Sequence, residues 1–340
     1  MAQKTAIQYQ LLQKGGSFVQ ALAPHPTPGP EEVCVRTKAV ALNPLDVKNR
    51  DHGTLIPTWP TVLGIDAAGI VDAVGASVQG LRPGDEVLVP CTPGGLSGGA
   101  FQEVVTVGAA LVAKKPAGLT FEEAASLPLC YLTAAAAVSV GLRVPLPHLD
   151  PEGTPSSLRS ILVLGASSAT GAAAVQLLRT ALPSATILTT SAASHHARLE
   201  ALGATRCFER AAASEPAVIR AATVGGGGVD AILDIVEAAA SEPEVLTSLN
   251  PDGPKVYAHV VTGTAVDVPE GVQSVPVNAR QIFEVKGGAV AMPRLGELLA
   301  GGKYKIPVRV EIIGKGWEAV ARGLDRLGRG VSGTKLVVSL

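Results

Sequence analysis

Aromatic side chains are scarce, 3% of 340 residues, which leaves no stacking platform for single-stranded nucleic acid or planar polymers. An excess of charge of one sign is also missing. The balance of 28 basic and 29 acidic residues gives a formal net charge of -1, so there is no field for gripping nucleic acid or an anionic membrane. The four cysteines, Cys34, Cys91, Cys130 and Cys207, are too few and too widely spaced for a disulfide framework or a CxxC metal knuckle. They read as reduced and buried. The segment Met1 to Gln10 lacks the apolar block of a secretory signal, so a cytosolic (cytoplasmic) address is the default.

What is present describes a folded globular chain: 47% hydrophobic and 17% charged residues, enough to bury a core. The length suggests two domains. With 38 glycines and 25 prolines, the chain turns often. No internal repeat of fixed period is visible. Two uncharged stretches, Ala124 to Leu142 and Ile161 to Leu178, approach the length of a bilayer span. Both are alanine-rich and interrupted by polar residues or proline, which suits buried segments of a soluble protein.

From Glu31 to Ala41 and from Val62 to Val89 the sequence is a series of short β-rich runs broken by Pro and Gly, the pattern of an antiparallel β body. Thr120 is a helix N-cap, with Glu122 and Glu123 in the first turn where carboxylates favour the positive helix end. The proline-rich stretch Pro145 to Ser160 reads as a linker to the apolar run Ile161 to Leu164. Further runs follow at Ala185 to Thr190, Val229 to Val236 and Lys255 to Val261, separated by helical stretches such as Ala172 to Thr180 and His196 to Leu202. This alternation implies a parallel sheet covered on both faces. The glycine run Gly225 to Gly228 reads as a flexible loop. Trp317 to Leu327 reads as a helix and Lys335 to Ser339 as a final strand.

The informative segment is Ile161 to Leu178: a buried strand, the turn Gly165-Ala-Ser-Ser-Ala-Thr-Gly171, then an amphipathic helix. Small side chains let backbone approach a pyrophosphate, and amides at a helix N-terminus stabilise its charge. Ser168 and Ala169 occupy the middle of the turn where the dinucleotide fingerprint has a glycine. A small-residue turn also suits ordinary strand-to-helix packing. After the second strand come Thr190 to Ser194, His195, His196 and Arg198. No carboxylate stands in that loop to repel a 2′-phosphate, and several donors could bind one, which favours NADPH over NADH. An ordinary loop and helix cap is the alternative.

Asn43-Pro-Leu-Asp-Val-Lys48, Leu63-Gly-Ile-Asp-Ala-Ala-Gly-Ile-Val71, Arg82-Pro-Gly-Asp-Glu-Val87, the turn at Gly165 to Gly171, Gly228 to Asp234 and the ending Ser332 to Val338 together resemble the medium-chain dehydrogenase/reductase superfamily over nearly the whole chain. The resemblance implies an α/β fold: a Rossmann doubly wound parallel sheet domain plus a GroES-like, mainly antiparallel β catalytic domain. The expected limits are 1–126 for the GroES-like domain, 127–287 for the Rossmann domain, and 288–340 for a return to the first. Zinc alcohol dehydrogenases of this superfamily hold catalytic metal with a cysteine and the histidine of a Gly-His-Glu motif. Those positions here carry Asn43 and Ile65, with Asp66 for the glutamate, and neither Asn nor Ile supplies a thiolate or imidazole. The four-cysteine structural zinc loop is missing too, so no metal is expected. Conjugated acceptors become the natural substrates.

Within the zinc-free branch the chain is similar to the fungal enoyl reductases that act in trans on polyketide synthases, through Gly141 to Pro147, the Ser-Ser-Ala-Thr core of the turn and Ser332-Gly-Thr-Lys335. The resemblance implies NADPH-dependent reduction of an α,β-unsaturated carbonyl or thioester, on a small-molecule or carrier-bound enoyl substrate. It also implies a possible polyketide synthase partner and a monomer or homodimer, without nucleic acid or membrane. An NADPH quinone oxidoreductase and an inactive nucleotide-binding protein are the other readings.

The cofactor residues implied are Leu45, Asp46, Val47, Lys48, Gly165, Ser167, Ser168, Ala169, Thr170, Gly171, Ser191, Ser194, Arg198, Arg210, His259, Ser332 and Gly333. Arg210 stands where those reductases often carry tyrosine, and the segment from Thr262 to Arg280 is short for the family. Catalytic candidates are Asn43 as a neutral donor, Lys48 as a donor to cofactor or enolate, and Tyr131 and Thr133 in the cleft segment. Tyr131 is a candidate proton donor, with a structural hydroxyl as the alternative.

Overall fold

A computed structural model describes residues 4–340. The chain divides into two compact units, one of Met1–Leu129 with Met292–Leu340 and one of Cys130–Ala291. The first begins with a hairpin, β1 (Thr5–Leu11) and β2 (Phe18–Pro24), then β3 (Glu32–Ala41), α1 (Pro44–His52), β4 (Thr61–Val62), β5 (Asp66–Val74), β6 (Glu86–Pro90), β7 (Val104–Gly108), β8 (Ala113–Lys114) and α2 (Phe121–Ala125). Antiparallel pairing dominates: β3 lies against β5 and β7, and β5 against β6. Residues alternate across these strands, and the inward set, including Val33, Val35, Val71, Val87 and Val105, forms one buried cluster.

At Thr120 the expected cap is complete. Its Oγ1 accepts the Glu123 N–H at 3.1 Å, and Glu123 Oε2 accepts the Thr120 N–H at 2.9 Å, which satisfies two amides at the helix start. Helix α3 (Pro128–Ala136) follows. Among the described residues one apolar helical run, Phe121–Gly141, is long enough to cross a bilayer, and 83% of its most apolar window is buried inside the protein.

The second unit carries β9 (Ser160–Leu164), α4 (Ala169–Ala181), β10 (Thr186–Thr190), α5 (His196–Leu202), β11 (Arg206–Phe208), α6 (Pro216–Ala221), β12 (Ala231–Asp234), β13 (Val256–Val260) and β14 (Gln273–Val277). All pairs are parallel, in the order β11-β10-β9-β12-β13-β14. This is the doubly wound Rossmann arrangement. Every residue of β9 is buried, as a central strand covered on both faces requires. The glycine run is better held than a free tether: a Cβ on Gly228 would meet the Ser248 carbonyl oxygen at 2.5 Å, and the Gly228 N–H donates to Thr223 Oγ1 at 3.0 Å.

The chain then forms α7 (Ala291–Ala300), β15 (Arg309–Lys315), α8 (Glu318–Gly328) and β16 (Thr334–Ser339). In α8 the buried Ala319, Val320, Gly323 and Leu324 recur at helical spacing while Arg322, Asp325 and Arg326 face out. Strand β16 pairs with β3, Val338 opposite Val40. All four cysteines are free. Cys34, Cys91 and Cys130 are buried as expected, whereas Cys207 is only partly covered.

Candidate cofactor and active site

The strand order of the parallel sheet reverses between β9 and β12, and ligands of such sheets bind outside the carboxyl ends of the strands at that point. Gly165 leaves β9 with φ +70°, and a Cβ there would lie 2.6 Å from Val236 Cγ1. Gly171, in the first turn of α4, is packed so closely that a Cβ would sit 2.4 Å from the Gly165 carbonyl oxygen. Ser168 caps the helix, its Oγ accepting the Gly171 N–H at 3.0 Å. Ser167 is buried, while Ser168, Ala169 and Thr170 are partly exposed at the helix entrance. The amides of a first helical turn have no partner within the helix, so this entrance fits a phosphate.

The other expected contacts of this unit lie along the same edge of the sheet. Ser191, just after β10, is buried and donates its N–H to the Phe208 carbonyl at 2.9 Å. Ser194, Arg198 at the start of α5 and Arg210 after β11 are exposed. His259 in β13 stacks on Tyr257, with ring centroids 5.1 Å apart, and its buried Nδ1 has no hydrogen-bond partner. A turn that any Cβ would fill and an unpartnered buried ring nitrogen both fit a dinucleotide. One expectation needs correction. A carboxylate does stand at the loop after β10: Glu209, just after β11, accepts the Ala193 N–H at 3.1 Å. The sequence pattern misses it because it follows the neighbouring strand.

In the first unit, Asn43, Leu45, Asp46, Val47 and Lys48 gather at the start of α1. The Asp46 side chain is fully buried, and its Oδ2 accepts the Asn43 N–H at 2.9 Å. Burial pushes its carboxyl up to about 7, against the hydrogen bond from Asn43. One oxygen of the side chain therefore serves the helix start, while the buried Oδ1 has no hydrogen-bond partner. Asn43 is engaged as well: Nδ2 donates to Asp66 Oδ2 at 3.0 Å, and Oδ1 accepts from the Lys335 ammonium at 2.5 Å. Lys335 is the residue that sequence reasoning missed. Its Nζ lies 3.0 Å from Asp66 Oδ2, and Asp66 Oδ1 accepts the Leu129 N–H at 2.8 Å. The ammonium thus occupies the polar cluster at positions 43 and 66, with Ser332 and Gly333 just before it in sequence. Lys48 is partly exposed on α1.

The cleft segment of α3 is more enclosed than expected. Tyr131 is completely buried and Thr133 is 7% exposed. The Tyr131 hydroxyl lies 2.8 Å from His148 Nε2, and burial raises the phenol well above its ordinary range. The hydroxyl is thus held by His148 in this structure. Burial also pushes the Cys91 thiol up, which leaves it an unreactive filler.

Residues 29–117 match the family described as the alcohol dehydrogenase GroES-like domain. The chain is 33% identical over 349 residues to the trans-enoyl reductase tndF of Aspergillus flavipes, covering 97% of each protein. It is 40% identical over 164 residues to the enoyl reductase component lovC of the lovastatin nonaketide synthase of Aspergillus terreus, covering 46% of this chain and 44% of that one. Among solved structures, an alcohol dehydrogenase superfamily protein from Novosphingobium aromaticivorans superposes with a TM-score of 0.79 at 25% identity, covering 99% of this chain and 100% of that one. The chain belongs to the medium-chain dehydrogenase/reductase superfamily, together with the fungal trans-enoyl reductases. It is a family of oxidoreductases that use nicotinamide cofactors.

Proposed function

We propose that this protein is an NADPH-dependent enoyl reductase that acts in trans on an α,β-unsaturated thioester or ketone carried by a polyketide synthase. Bound at the crevice, the reduced nicotinamide supplies a hydride to the β-carbon of the conjugated acceptor. The protein binds and orients. The amides at the start of α4 hold the pyrophosphate, and Ser191, Ser194, Arg198 and Arg210 contact the adenosine phosphate. His259, Ser332 and Gly333 complete the nucleotide seat. Lys48 donates to the carbonyl oxygen as negative charge develops there, and solvent protonates the α-carbon.

The observation that carries this reading is the cluster at positions 43, 65 and 66. Asn43 and Ile65 offer no thiolate or imidazole, and the Asn43 and Asp66 oxygens are spent on the Lys335 ammonium. That donor set lacks a Lewis acid site for alcohol oxidation and suits an acceptor polarised by conjugation. The name shared by tndF and its relatives supports the enoyl substrate and the synthase partner.

Deuterium at C4 of NADPH tests the reaction directly. The label should appear at the β-carbon of a reduced crotonyl thioester, and its appearance elsewhere, or not at all, rejects the proposal. Treatment with a chelator should leave turnover and melting unchanged.

A further inference from the structure

Immediately after β12 the backbone turns left-handed at Glu237, with φ 53° and ψ 41°, a region sparsely populated by residues that carry a side chain. Two carboxylates hold the turn. Asp234, the last residue of β12, accepts the N–H groups of Val236 at 3.1 Å and of Ala238 and Ala239 at 3.0 Å, and the Tyr257 hydroxyl at 3.1 Å. Glu237 itself is 5% exposed. It accepts the N–H groups of Thr262 and Thr264, each at 2.9 Å, and the Thr262 hydroxyl. Burial opposes ionisation of this carboxyl, and the bonds from Thr262 and Thr264 outweigh it, holding the group below its ordinary range. The fold thus keeps a strained backbone in order to aim one carboxylate at one loop.

The place of that loop gives the clamp a use. Asp234 pairs with His259 across β12 and β13, so the turn at 236–239 and the loop at 262–264 leave neighbouring strands at the same edge of the sheet. Val236, adjacent to Glu237, packs over Gly165 of the phosphate turn. A dinucleotide whose pyrophosphate lies at that turn and whose adenosine lies toward β10 and β11 must send its nicotinamide the other way, over β12 and β13. We infer that Glu237 is a positioning residue: by tying residues 262–264 to the turn after β12, it fixes the seat of the nicotinamide ring. This rests on the nicotinamide-nucleotide reading proposed above.

The test compares the affinity for NADPH and NADH with that for 2′-phospho-ADP-ribose and ADP-ribose, the same molecules without nicotinamide. Two variants are used. Glu237→Gly removes the carboxylate and also relieves the left-handed turn, which keeps the fold, and Glu237→Gln retains one acceptor oxygen. Glu237→Gly should weaken the preferred whole cofactor about tenfold and leave its nicotinamide-free counterpart within about twofold, with Glu237→Gln between. Hydrogen exchange at the Thr262 and Thr264 amides should rise in the unliganded Glu237→Gly protein. Equal weakening of cofactor and fragment marks a merely structural role and overturns the inference, as does no change in either. If the wild-type protein binds none of the four, the nicotinamide-nucleotide reading itself fails and the inference goes with it.

Discussion

The Lys335 ammonium lies 3.0 Å from the Asp66 carboxylate, with 7% and 0% of the two side chains exposed. Desolvating such a pair is expensive, and it persists where further hydrogen bonds satisfy both partners. Asn43 and the Leu129 N–H supply them here. Removing one partner strands the other. Lys335→Met should therefore lower stability in urea unfolding by about 3–5 kcal/mol, and adding Asp66→Asn should recover much of that loss. Additive losses in the double variant would mean that the two charges do not depend on each other.

The buried carboxyl of Asp46 makes stability depend on pH. Its folded pKa, about 7, lies above the ordinary carboxylate value of 3.8. The stability it adds is fully present below pH ~4 and is lost as pH rises through ~7. At about 1.4 kcal/mol per pH unit, the span is worth about 4 kcal/mol. Asp46→Asn keeps an oxygen for the Asn43 N–H and removes the ionisation. Its stability gain over wild type should be larger at pH 8 than at pH 5. An equal gain at both values would place the titration elsewhere.

Glu209 brings negative charge to the loop expected to receive a 2′-phosphate. Glu209→Gln should strengthen NADPH binding relative to NADH by about threefold, and Arg210→Ala should weaken NADPH alone. Calorimetry with both nucleotides reads the ratio. If neither substitution moves it, this loop does not choose the cofactor.

Gly171 has no room for a side chain, since the atom a Cβ would meet is the backbone oxygen of Gly165. Gly171→Ala should cost about 1–3 kcal/mol through overpacking and reduce the rise in melting temperature that NADPH produces. A variant that melts and responds like wild type would show that helix α4 can move away from the strand.

How much of this was legible depends on how local each signal is. Strand β9 and helix α4 are written in consecutive residues, an apolar run followed by small ones, and the Thr120 cap needs only Glu123 three positions on. The α8 stripe is equally local. The β1–β2 hairpin left no mark because β2 is mostly exposed, and β14 is half polar with Pro276 inside it. The site divides the same way. The phosphate turn was readable, whereas Lys335 meets Asp66 across 269 residues, and nothing in the apolar run Lys335 to Val338 tells which carboxylate its lysine will find. Glu209 and Glu237 likewise reach loops that follow other strands. Tyr131 is bonded to His148, 17 residues away on the linker, a partner that no local pattern announces.

The most direct measurement is the consumption of NADPH by the purified protein, offered crotonyl thioester in one assay and a quinone in another. Reduced-nicotinamide absorbance should fall with the thioester, in step with formation of the saturated product. Loss with the quinone alone, or with neither acceptor, would contradict the enoyl reductase reading.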